Sequence, residues 1–110
     1  MSLSLAAPAD VFTAIAHPVR RQILDALRTG EQPVHALAAP FSMSRPAVSQ
    51  HLKLLREAGL VSEVRRGRER RYALQPARLR DVASWLGHYE QFWTTKLHDL
   101  GAYLDEEAHG

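Results

Sequence analysis

Residues 44–74, reading SRPAVSQHLKLLREAGL and then VSEVRRGRERRYAL, restrict the fold more than any other part of the chain. Ser44 is a good N-cap and Pro46 stands in a first turn, where a missing N–H is harmless. A helix is therefore predicted over residues 44–58, with Gly59 as its natural stop. At about 100° per residue, Ala47, Val48, Leu52, Leu54, Leu55 and Ala58 gather on one side, and Arg45, Pro46, Ser49, Gln50 and Lys53 on the other. The outer face is polar, short and cationic. Arg and Gln offer paired hydrogen bonds to base edges, and Ser lets a helix approach a groove floor. A plain solvated face uses the same residue types, so the helix alone leaves both readings open.

The segment that follows separates them. Residues 61–65 and 70–74 are short runs with β-branched or aromatic side chains, joined by a link in which Gly67 supplies the backbone freedom of a turn. Five arginines fall within seven positions, residues 65–71. Alternation sends Val64, Tyr72 and Leu74 toward the body and crowds Arg66, Arg68 and Arg70 at the tip, where they repel one another unless phosphate is near. The predicted fold class is mainly α with a small two-stranded β-wing, a winged helix-turn-helix. In that fold helix 44–58 is expected to lie in the major groove, and the arginine-rich wing, about residues 60–74, to meet backbone or minor groove.

The preceding segments supply the brace. A first helix over residues 8–16 places Val11, Phe12 and Ile15 at helical spacing, and His17-Pro18 breaks it. Pro18 opens a second helix to residue 27 that buries Val19, Ile23, Leu24 and Leu27, leaves Arg20, Arg21 and Arg28 outside, and ends before Gly30. Pro33 starts a short third helix to about residue 39, with Val34, Leu37 and Ala38 as its apolar side and Pro40 as its limit. Residues 33–58 thus form the helix-turn-helix. His51 lies nearer Val48 and Leu55 than Ser49 around its helix, and is read first as a packed, hydrogen-bonded residue and second as a phosphate contact.

Charge agrees with this division of labour. The net charge is only +2, yet residues 45–74 carry eight basic against three acidic residues, while residues 1–44 balance and residues 75–110 carry three against six. The absence of cysteine excludes disulfides and thiolate metal ligands. The N-terminal MSLSLAAPAD has no basic region and too short an apolar run for a signal peptide, and no window approaches a membrane span. One soluble, cytoplasmic domain of residues 1–110 with no membrane partner is expected.

The phrases HPVRRQILDALRTGE, SRPAVSQHLKLLREAGLV and RRGRERRYAL resemble the ArsR/SmtB family of winged-helix bacterial repressors over nearly the whole chain. The resemblance implies a homodimeric transcriptional regulator that sits on an operator in double-stranded DNA and leaves it when an effector binds. By motif position Arg45, Pro46, Ser49 and Gln50 fall where family members touch DNA. The family's metal motifs are missing. Where thiolate sensors carry Cys-Val-Cys this chain has Pro33, Val34 and His35. For the other sensor type the nearest candidates are Asp81, His88, Glu90 and His98. His88 and His98 would stand about 80° and about 15 Å apart on one helix, too far to share an ion within a chain. No metal or cofactor is assigned, and the effector is unidentified. A zinc-type sensor using histidines across a dimer is the alternative, together with a winged helix that contacts only protein.

The last segment bears on assembly. Apolar residues recur without a proline after Pro76, predicting a helix over about residues 76–106, roughly 45 Å long. A domain of this size has a radius of gyration near 13 Å, so such a helix overhangs its own core. Trp85, Tyr89, Phe92, Trp93, Leu97 and Leu100, with Phe12 and Ile15 of the first helix, are the expected interface of a two-fold dimer through terminal helices. Internal packing with a kink at Gly87 or Gly101 is the competing expectation.

An enzyme finds little support. Ser49 and His51 point different ways on a helix, and neither a Gly-x-Ser-x-Gly elbow nor a glycine-rich phosphate loop occurs. His88-Tyr89-Glu90 matches the His-x-Glu of zinc deaminases but lacks their Pro-Cys-x-x-Cys. The assigned DNA-binding set is Ser44, Arg45, Pro46, Ser49, Gln50, Lys53, Arg66, Arg68 and Arg70.

Overall fold

The computed structural model describes residues 10–93. The backbone forms two compact units, Met1–Arg80 and Asp81–Gly110. In the first, α1 (Val11–Ile15) starts at Asp10, whose Oδ1 accepts from the Thr13 N–H at 2.7 Å. That bond holds the Asp10 carboxyl below the usual carboxylate range. Helix α2 (Pro18–Ala26) has Pro18 in its first turn and His17 as N-cap, Nδ1 accepting from the Val19 N–H at 3.1 Å. A 3-10 turn, Leu27–Thr29, ends it, and Gly30 takes φ 137°.

Two arginines of α2 close the C-terminus of α1, adding donors to its last carbonyls beside the Ala16 N–H that reaches Thr13 at 3.2 Å. Arg20 donates from Nε to the Ala14 carbonyl at 2.7 Å and from Nη2 to that of Thr13 at 3.1 Å, and Arg21 donates to the Ile15 carbonyl at 2.7 Å. Arg20 was expected outside with Arg21 and Arg28. It is instead half-buried, because its guanidinium lies between the end of α1 and His51 of α4, 3.2 Å from Nδ1.

Next come β1 (Gln32–Pro33), α3 (Val34–Ala38), α4 (Arg45–Glu57), β2 (Val61–Arg66) and β3 (Glu69–Leu74). The expected two-stranded wing gains a third strand, and the antiparallel order is β1-β3-β2. Register runs from Val61 opposite Leu74 to Arg66 opposite Glu69, while Gln32 and Pro33 lie opposite Tyr72 and Arg71. The hairpin loop is therefore Gly67-Arg68, and Gly67 has φ 65°, where a side chain would strain the backbone.

The core collects Ile23, Leu27, Leu37, Val48, Leu52, Leu55 and Leu60, with Val11, Ala14 and Tyr72 also buried. Each large apolar side chain so enclosed contributes about 1.5–3 kcal/mol. No charged or polar residue is buried among the described residues. Of the predicted inner face of α4, Val48, Leu52, Leu55 and Ala58 are buried, and Ala47 and Leu54 are half-buried. Gly59 (φ 79°) turns the chain into the wing, and the Gln75 N–H donates to the Leu60 carbonyl at 2.8 Å where the wing returns.

The predicted continuous helix over residues 76–106 is corrected. Pro76–Arg78 is a 3-10 turn, α5 spans Leu79–Gly87, and residues 88–89 form a turn before helix resumes at residue 90. The His88 N–H reaches the Trp85 carbonyl (3.1 Å) and the Tyr89 N–H that of Leu86 (2.9 Å), a tightening at Gly87, the weakest helix former in the segment. Residues 94–106 of that expectation lie outside the described residues. In the second unit Trp85 and Tyr89 meet edge to face, with ring centroids 5.3 Å apart, and Phe92 lies 6.4 Å from Tyr89. With Leu86 and Trp93 they line an open cavity of about 540 Å³. No described helix is long and apolar enough to cross a membrane.

Candidate nucleic-acid interface

The outer face of α4 is fixed from both ends. Ser44 Oγ accepts from the Ala47 N–H at 3.3 Å, and Pro46 occupies the first turn, as the sequence predicts. With the inner face packed into the core, Arg45, Pro46, Gln50 and Lys53 are exposed and Ser49 is half-buried. The helix therefore offers a cationic end and one amide along a single side, without bulky apolar groups to hold it off a groove.

The wing is more ordered electrostatically than alternation suggested. Arg66 donates from Nε and Nη2 to the two carboxylate oxygens of Glu31, at 2.9 and 3.2 Å, and Arg71 donates to the same carboxylate at 3.2 Å. The hydrogen bond from Arg66 lowers the Glu31 carboxyl below its ordinary range, assisted by the charge of Arg71. Arg70 donates to Glu63 at 3.2 Å and to the Tyr72 hydroxyl at 2.8 Å, and Glu63 also accepts from Arg56 at 3.3 Å. The expected mutual repulsion of Arg66, Arg68 and Arg70 is thus corrected, because Glu31 and Glu63 stand between the charges. Arg65 and Arg68 form no ion pair among the described residues, and both are exposed.

Helix and wing share one cleft of about 320 Å³, whose walls include Arg45 and Ser49 of α4, Arg68 and Arg70 of the hairpin, and His35 of α3. Its lining is mainly polar and its positive groups outnumber Glu69, the one carboxylate among the lining residues. Such a cleft suits a polyanion that presents phosphates beside base edges. Sequence reasoning set His35 aside as a failed metal position and did not anticipate Glu31. The sequence reading does not single out Glu63 either, although a hairpin pairing Arg65 with Arg70 puts it diagonally across from Arg70.

Phe12, Trp85, Tyr89, Phe92 and Trp93 are exposed, with Phe92 the most so at 59%, and Ile15 is half-buried. Leu97 and Leu100 of the expected dimer interface lie outside the described residues, as does His98. Among the described residues no three His, Asp or Glu side chains come together in the manner of a metal site.

Comparison with known proteins identifies the family. Residues 17–63 match the family model described as bacterial regulatory protein, arsR family. The chain is 38% identical over 77 residues to the transcriptional repressor SdpR of Bacillus subtilis, spanning 70% of this chain and 86% of that protein. It is 38% identical over 101 residues to the HTH-type transcriptional regulator Rv2034 of Mycobacterium tuberculosis, 92% of each. Among solved structures, an ArsR family transcriptional regulator superposes with a TM-score of 0.66 at 32% identity, over 76% of this chain and 91% of that one. An ArsR-like regulator from Rhodococcus sp. RHA1 gives 0.63 at 34% identity, over 88% and 92%. The chain belongs to the arsR family of bacterial regulatory proteins, and it is a DNA-binding transcriptional regulator of the repressor kind, not an enzyme.

Proposed function

We propose that the protein represses transcription as a homodimer on an inverted-repeat operator, with α4 of each protomer in the major groove and each wing on the flanking backbone or minor groove. The observation that carries this reading is the shared cleft, in which Arg45 and Ser49 of the helix face the same space as Arg68 and Arg70 of the hairpin. Gln50 and Lys53 extend the helix face beside it, and Ser44 and Pro46 set where that face begins. Residues 1–110 then act as one DNA-binding module.

The dimer rests on the aromatic surface of residues 85–93, together with Phe12 and Ile15, since exposed aromatic groups of this size favour burial against a partner. A two-fold axis sets the two copies of α4 about 34 Å apart, one turn of DNA, which makes the operator an inverted repeat.

The test is a fluorescence-anisotropy titration on the protein's own promoter and on random DNA, with mass in solution measured in parallel. Gln50→Ala is expected to lose about 1–3 kcal/mol on the operator and little on random DNA. Phe92→Ala is expected to dissociate the dimer and weaken operator binding from a distance. Equal losses on both DNAs would remove Gln50 from base reading, and a wild-type monomer would sink the dimer.

A further inference from the structure

We propose that Arg20 and His51 form a proton-sensitive clamp that fixes the tilt of α4 against the α1–α2 corner, so that operator binding weakens in acid. The inference rests on α4 being the DNA-reading helix. Its basis is a bond network that joins three helices through one guanidinium. Arg20 binds the Ala14 and Thr13 carbonyls at the end of α1 and, from Nη1, sits 3.2 Å from Nδ1 of His51 in the middle of α4.

A guanidinium can only donate, so Nδ1 of His51 must accept, and its proton must sit on Nε2. The imidazole is therefore neutral when the clamp is closed. Protonation puts a hydrogen on Nδ1, which turns an attractive contact into one between two cations and removes the acceptor that Arg20 uses. Among the described residues no carboxylate, of α1, α3, β2 or any other element, forms an ion pair with the ring to offset that charge. The ring packs with its centroid 4.6 Å from that of His17, and the charge nearest it from the α2 side is that of Arg20. Burial, and then the nearness of His17 and Arg20, hold His51 below the ordinary imidazole value.

The sign follows from linkage. A histidine whose pKa is depressed in the folded state binds fewer protons than it does unfolded. Its contribution is complete above the unfolded value and is lost as pH falls through the folded one. The loss falls on the position of α4, which separates it from the general behaviour of a cationic DNA binder. Any general gain of positive charge in acid strengthens the binding of a cationic protein to DNA. The clamp predicts the opposite trend.

The experiment measures operator affinity at constant ionic strength from pH 8 to pH 5.5 for wild type and His51→Gln, with His51 followed by NMR in the DNA-free protein. Glutamine keeps an oxygen acceptor for Arg20 but does not titrate, so the variant is expected to bind at pH 8 within about two-fold of wild type. Wild-type affinity is expected to fall about two- to four-fold across the range, relative to a flat or rising profile in the variant. Thermal unfolding at both ends of the range shows whether the fold persists through the change. Parallel pH profiles, or a His51 ring that titrates at or above the ordinary histidine value, would overturn the clamp. Gln50→Ala at pH 8 keeps the two readings apart. Unchanged operator affinity there refutes α4 as the reading helix, whereas parallel profiles with that loss present refute only the clamp.

Discussion

Removing Arg68 isolates the wing's contribution to DNA binding, because it is the arginine at the hairpin loop that no carboxylate neutralises among the described residues. Each phosphate neutralised by a cation steepens the dependence of log affinity on log salt by about 0.9. Arg68→Ala should therefore flatten the slope by about 0.9 for each bound wing, and by about 1.8 for a dimer with both wings engaged. Between about 50 and about 200 mM salt that is roughly 3.5-fold in relative affinity per wing, or roughly twelve-fold per dimer. The assay is a titration on operator and random DNA at four or more salt concentrations, with both sequences affected alike. Arg66→Ala and Arg70→Ala should flatten the slope less, since Glu31 and Glu63 already hold those charges at 2.9 and 3.2 Å. Glu31→Gln should steepen it by freeing Arg66 and Arg71. An unchanged slope in Arg68→Ala, or a larger effect from Arg66→Ala, would refute the assignment of charge on the wing.

Two further outcomes concern the scaffold. Leu52→Ala, at a side chain with no exposed surface on the inner face of α4, should cost about 2–5 kcal/mol in denaturant unfolding and leave the outer-face residues of α4 chemically intact. Gly59→Ala should cost about 1–2 kcal/mol by the same measurement, since φ is 79° and a Cβ there would meet Arg78 Cγ at 3.4 Å; a stability equal to wild type would show that the turn relaxes freely.

The parts legible in the sequence were those set by neighbours along the chain. Ser44, Pro46 and Gly59 bounded α4 because caps and breakers act within a turn, and Gly67 marked the hairpin because its backbone angle is local. The third strand was missed because Pro33 argues against a sheet position, and β1 is only two residues long, too short for any alternation to show. Glu31 pairs with Arg66 and Arg71 across 35 and 40 residues, a distance at which sequence pattern says nothing about contact. Helical periodicity places Arg20 on the outside, because it reports which side of a helix is wet and not whether a neighbouring helix end presents carbonyls to it. The long C-terminal helix was extrapolated from apolar spacing, which continues through Gly87 and His88 although the backbone tightens there.

The short β1 has a bearing on self-association. An exposed sheet edge is a template for another chain, and here one edge is two residues long and ends in a proline that has no N–H to offer. The opposite edge, β2, carries Glu63, Arg65 and Arg66, whose charges discourage a second strand from lying alongside. Both edges therefore disfavour the addition of a further strand from another copy, so wing-to-wing growth of the sheet is disfavoured.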